Sequence, residues 1–147
     1  MDVLLEQLGR SAQQIVDQVR DVPEPELRRK PGAEWAALEV LGHLRDREQL
    51  FAERIALFVS GAALIPNWDE DAAAAEGRYL RADAQATVTA FQELRQRNIQ
   101  QLAAAEAAWD HVAQHEVQGP YSLRNEAERV AAHDEAHLRQ LGALLRS

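Results

Sequence analysis

An all-α four-helix bundle is the fold this sequence predicts. Four long segments carry apolar residues at helical spacing, and the chain's prolines and several of its glycines fall between them. No stretch alternates with period two for long enough to suggest a sheet. The 147 residues suit one domain, residues 1–147, with one core. That core is aliphatic, because apolar residues make up 46% of the chain and aromatics only 5%.

The first helix is expected from about Asp2 to Asp21, with Leu4, Leu5, Leu8, Ile15, Val16 and Val19 as its apolar positions. The segment VPEPELRRKPG, Val22 to Gly32, breaks it with three prolines and a glycine. A second helix is expected over Glu34–Ser60, stopping at Gly61. After the loop AALIPNWDED, a third begins somewhere past Asp71, with Gly77 interrupting its start, and ends near Ala108. WDHVAQHEVQGPYS reads as the least helical part. Ser122 is a suitable N-cap for a fourth helix that reaches the C-terminus. An elongated coiled coil fits less well, since the apolar stripes are wider than an a/d seam.

Composition excludes several functions. With 16 basic and 24 acidic residues the chain carries a formal charge of −8, against the basic surface that nucleic-acid binding requires. The absence of cysteine removes disulfides, thiolate nucleophiles and cysteine zinc sites. There is no signal-peptide pattern and no apolar run long enough to span a membrane, so a soluble cytoplasmic protein is expected.

The polar residues at the borders of two apolar stripes are the informative ones. At about 100° per residue, the last helix has an arc formed by Leu123, Ala127, Val130, Leu138, Leu141 and Leu145. Asp134 falls in the middle of that arc, His137 on its edge and His133 about 40° further round. In the second helix, Glu48 lies inside the stripe, while His43 flanks it beside Arg47 and Arg54. Burying such groups without partners is costly, so their placement needs a reason. If the two helices pack at the right level, three neutral imidazoles converge, and an i, i+4 pair plus a third histidine makes a divalent-metal site with an open position. Imidazole suits zinc, nickel or ferrous iron better than calcium or magnesium. Histidines hydrogen-bonded at helix flanks, with Asp134 and Glu48 in structural ion pairs, are the alternative.

A second i, i+4 pair, His111 and His115, is read as a decoy, because Gly119-Pro120 close by breaks any helical face. Asp134 is expected to support the ligands from behind or to bond between helices, and Glu48 to be a buried structural partner. Arg47 is expected either at the solvated surface or holding an anionic substrate near the ion. Trp35, Trp68 and Trp109 are read as caps on the bundle ends, and the acidic loop NWDEDAAAAE as solvated.

Three segments resemble the DinB/YfiT-like superfamily. WAALEVLGHLRDREQLFAERI looks like its second-helix signature, AAHDEAHLRQL its C-terminal His-Asp-x-x-His-x-x-Gln signature, and GPYSL its G-x-x-T-L turn with Ser122 in place of threonine. The resemblance covers nearly the whole chain in order. It implies a four-helix bundle, often a homodimer, and a divalent metal, zinc or nickel foremost, on His43, His133 and His137. Relatives include metal-dependent thiol S-transferases and mycothiol-dependent maleylpyruvate isomerases. The resemblance therefore implies hydrolysis or thiol transfer on a small molecule, with any low-molecular-weight thiol supplied as cosubstrate. A non-catalytic dimeric bundle or small-ligand binder is the second reading.

Overall fold

The computed structural model describes residues 2–70, 72 and 77–146. Its long helices are α1 (Asp2–Val19), α3 (Ala37–Val59), α5 (Ala84–Ala104) and α6 (Leu123–Arg146). The short α2 (Glu24–Arg28) and α4 (Arg78–Arg81) lie in the connections. A three-stranded sheet is formed by β1 (Leu64–Ile65), β2 (Val112–His115) and β3 (Gly119–Ser122).

Helix ends follow local chemistry. Asp83 caps α5, its carboxylate accepting from the Ala86 N–H at 2.8 Å. Ser122 caps α6 as expected: its Oγ accepts from the Asn125 N–H at 3.1 Å, while Asn125 Oδ1 accepts from the Ser122 N–H at 2.9 Å. This is a reciprocal capping box with asparagine in the usual Glu position. At the start of α3, Glu39 accepts from the Ala36 N–H at 2.9 Å and pairs with Lys30.

Several boundaries differ from expectation. The second long helix starts at Ala37 rather than Glu34, and the third spans only Ala84–Ala104. Gly77, at φ 68°, precedes the separate turn α4, and a 3-10 turn over Glu106–Ala108 follows α5. The proline-rich break contains α2, because Pro23 and Pro25 stand where a helix start tolerates a missing N–H. The expected absence of a sheet is also corrected. β1 pairs in parallel with β2 through Ile65 and His115, and β2 pairs antiparallel with β3 from Val112–Ser122 to His115–Gly119. The sheet leads straight into the α6 cap.

Each long helix packs on two others: α1 on α5 and α6, and α3 on the same pair. The first two long helices therefore sit diagonally across the bundle. Every long helix bridges two apolar clusters. One contains Leu8, Phe51, Ile55, Leu102 and Val130; the other Ile15, Leu41, Leu44, Phe91 and Leu141. Between them each helix contributes a polar side chain to a buried layer: Ser11, Glu48, Arg95 with Asn98, and Asp134. Arg95 uses all five N–H donors. It donates to Glu48 at 2.8 and 2.9 Å, to Asp134 at 2.8 and 3.0 Å, and to the Leu8 carbonyl at 2.8 Å. Asn98 donates to Glu48 at 2.8 Å and Ser11 to Asp134 at 2.6 Å. Burial alone would favour loss of the Arg95 proton, but the two carboxylates outweigh it and hold the guanidinium charged.

Gly42 allows α4 to reach α3. A Cβ at this position would lie 2.5 Å from Cδ1 and 2.7 Å from Cγ of buried Tyr79, whose hydroxyl donates to Asp46 at 2.8 Å. Gly42→Ala gains up to about 1 kcal/mol of helix propensity but must expel the ring. A net loss of about 1–3 kcal/mol is expected, read as a lower urea midpoint at constant m-value.

Candidate metal centre

α3 and α6 bring the three predicted histidines together. His43 is fully buried on α3; His133 and His137 are half-buried, one turn apart on α6. The Nε2 of His133 lies 2.8 Å from that of His43 and 3.1 Å from that of His137. One nitrogen from each ring lies within 4.8 Å of the other two. Tetrahedral coordination with bonds near 2.0–2.1 Å separates ligand nitrogens by about 3.3 Å, so the two His133 pairs need to open by a few tenths of an ångström, while the His43–His137 pair, within 4.8 Å, sets the larger adjustment.

Proton counting favours a cation there. Gln140 Oε1 lies 2.7 Å from His137 Nδ1, which fixes the proton on that nitrogen and turns the Nε2 lone pair inward. His133 Nε2 then faces two nitrogens and can carry at most one proton. A proton satisfies one of the two short contacts, whereas a cation satisfies all three lone pairs. The Nδ1 atoms of His43 and His133 are buried without a hydrogen-bond partner among the described residues. Packing orients the His43 ring instead: Trp68 stacks on it at 5.7 Å and 10°, and Trp35 meets it edge-on at 5.2 Å. Two of the three tryptophans thus frame the histidine cluster rather than cap bundle ends. Trp109 is a core residue whose Nε1 donates to the Leu102 carbonyl at 2.8 Å.

The rings are held neutral, as metal ligation requires. Burial, with smaller contributions from His137 and Arg47, lowers the His43 pKa to about 4. Burial beside the other two imidazoles lowers His133 to about 2, and burial also lowers His137 against the opposing Gln140 bond. An unfolded histidine titrates near 6.5, so below that pH the unfolded metal-free chain binds more protons than the folded one. Stability is then fully present above pH 6.5 and is lost as pH falls toward 4, by about 3 kcal/mol for His43 alone. Urea midpoints of chelator-treated protein between pH 7 and 4.5 check this. His43→Gln should flatten the pH dependence; parallel curves would contradict it.

Asp134 and Glu48 do not hydrogen-bond the imidazoles. Both bind Arg95, which makes them inter-helix partners. Two carboxylates against one guanidinium leave that layer with one negative charge, the sign that favours a cation nearby. Arg47 is not at the solvated surface: it is buried and pairs with Glu126, as does Arg54. His111 and His115 stay out of the cluster.

Two residues at the site were not singled out in the sequence. Gln140 lies three residues after His137, in a signature that does carry a glutamine. Glu70, in the acidic loop read as solvated, brings Oε2 to 3.3 Å from His43 Nε2 while its side chain remains 53% exposed. Asp71 and residues 73–76 of that loop lie outside the described residues.

A helical bundle with three histidines converging from two facing helices is the arrangement in which bundle metal sites are built. The chain belongs to the DinB superfamily, whose profile matches residues 7–141. No curated protein sequence matches it. Among solved structures it is similar to YfiT from Bacillus subtilis, described as a probable metal-dependent hydrolase with an unusual four-helix bundle topology. The TM-score is 0.87 at 19% identity, over 99% of this chain and 85% of that one. At that identity the likeness concerns the fold, and the diagonal placement of α1 and α3 departs from simple up-and-down order. Among the described residues no helix is long and apolar enough to cross a membrane.

Proposed function

We propose that this chain is a metal-dependent enzyme acting on a small molecule, with a divalent ion, zinc or nickel foremost, held by His43, His133 and His137. One observation carries the reading: three imidazole nitrogens from two helices meet within 4.8 Å, against a cavity that His133 also lines. Three protein ligands leave a coordination position for water or substrate. A bound ion would supply Lewis-acid activation of a water or of a thiol brought as cosubstrate.

The chain's own residues supply the rest. Gln140 fixes the tautomer of His137, and the two tryptophans hold His43 in plane and shield it from water. Glu70 is the carboxylate at the mouth of the site with no buried ion pair to satisfy, which suits it to accept the proton released by water or thiol. Asp134 and Glu48 are committed to Arg95 and are unsuited to that role.

Untagged protein reconstituted with each metal should be assayed for ester and amide hydrolysis, and for transfer of several cellular thiols to electrophiles. Activity should disappear with chelator and return with metal. Glu70→Gln should lower kcat by about 10²–10⁴-fold with metal content unchanged. Activity indifferent to chelation in every assay would overturn the reading.

A further inference from the structure

The wall beside the histidine cluster is rich in hydrogen-bond donors. A cavity of about 180 Å³ lies between α3, α6, the end of β2 and the 67–70 segment, and Arg47, Arg54, His115 and His133 line it. Arg47 and Arg54 are 7% and 4% exposed, yet one carboxylate, the fully buried Glu126, serves both. That carboxylate is saturated. Oε1 accepts from Arg47 and Arg54, and Oε2 from Arg54 at 2.7 Å and the Tyr121 hydroxyl at 3.1 Å. Arg129 and Glu70 also line the cavity, so three guanidiniums stand against two carboxylates, and the surplus is one positive charge, costly where it is buried unless an anion joins it.

The unpaired atoms point the same way. Arg47 Nη1 and Arg54 Nε are buried with no hydrogen-bond partner among the described residues. His115, 1% exposed, adds a third donor. Its Nδ1 accepts from the Val117 and Gln118 N–H groups at 3.0 and 3.1 Å, so the ring proton must sit on Nε2. That N–H faces Arg54 Nη2 at 3.4 Å, donor against donor, while Arg54 Nη2 already donates to the Pro66 carbonyl at 3.0 Å. Of the described acidic residues, only Glu70 lines the cavity, and it lies toward His43.

We propose that this cavity is a carboxylate subsite, so that the molecule presented to the histidine cluster is a small monoanionic organic acid. A carboxylate offers about four acceptor positions to donors that lack acceptors, and its single charge matches the surplus. A cavity near 150 Å³ accommodates benzene, which sets the size of the acid between propionate and benzoate. The assignment rests on the metal reading only for the reaction that follows binding; the anion is held by arginine and histidine.

Calorimetric titration of untagged protein, metal-loaded and chelator-treated, tests it with propionate and benzoate against propionamide, benzamide and inorganic phosphate. The acids should bind saturably in both preparations and the amides should not. Arg47→Gln should weaken the acids at least 10-fold, while Arg54 and Glu126 remain balanced one to one and keep the fold. In the wild type, the guanidinium ¹⁵N resonances of Arg47 and Arg54 should move with propionate and not with propionamide. Amides or phosphate binding as well as the acids would overturn the proposal. So would wild-type affinity in Arg47→Gln, or still guanidinium resonances. Acid binding that vanishes with chelator and ignores Arg47→Gln would place the carboxylate on the ion, overturning the subsite and leaving the metal reading standing. Acid binding by a wild-type protein that takes up none of the metals offered would leave the subsite standing and overturn the metal reading.

Discussion

Arg95→Met is expected to lose about 3–5 kcal/mol of stability, the cost of breaking a buried ion pair from one side. Removing the guanidinium leaves Glu48 and Asp134 buried at 1% and 0% exposure with no counter-charge, and empties the bond to the Leu8 carbonyl. A loss of this size is a large part of a typical domain's stability, so the variant should unfold at much lower urea. Replacing the charged trio together, as Glu48→Met/Arg95→Leu/Asp134→Met, should recover most of the loss, because no unpaired charge remains. A single variant within 1 kcal/mol of wild type would mean that water reaches the layer.

His133→Ala is expected to abolish stoichiometric metal binding. His133 Nε2 is the atom closest to both other ring nitrogens, so its removal leaves His43 and His137 as two ligands without a bridge. Wild-type protein should gain about 2.7 kcal/mol at a free metal concentration 100 times Kd, and the variant should gain nothing at that concentration. Elemental analysis of untagged protein gives the second readout. Equal metal content in the two proteins would remove the centre, and the proposed chemistry with it.

The four helices were legible because each presents a wide apolar stripe bounded by Pro, Gly or a capping residue. The histidine site was legible for the opposite reason, as polar groups out of place beside those stripes. The sheet was hidden because its alternation does not follow residue polarity: in β2, Val112 and Gln114 are exposed while Ala113 and His115 are buried. His115 is buried to accept two backbone N–H groups, a pairing set by the following turn that no periodicity reports. The burial of Arg47 was hidden by its helix position, where it is covered by Glu126 from α6. Glu70 lay unread in a run of acids, since only the path of the loop separates the carboxylate facing His43 from its neighbours.

The diagonal placement of α1 and α3 bears on how the molecule is made. Neither can dock on the other, so each waits for α5 and α6 to supply its neighbours. His43 meets His133 across 90 residues of chain, and Arg95 meets Leu8 across 87. Loop closure must be met before such distant contacts give any return, which slows assembly relative to bundles whose successive helices touch. On a ribosome, the first two long helices emerge with their greasy faces bare until α5 covers part of them, and the bundle closes only when α6 follows.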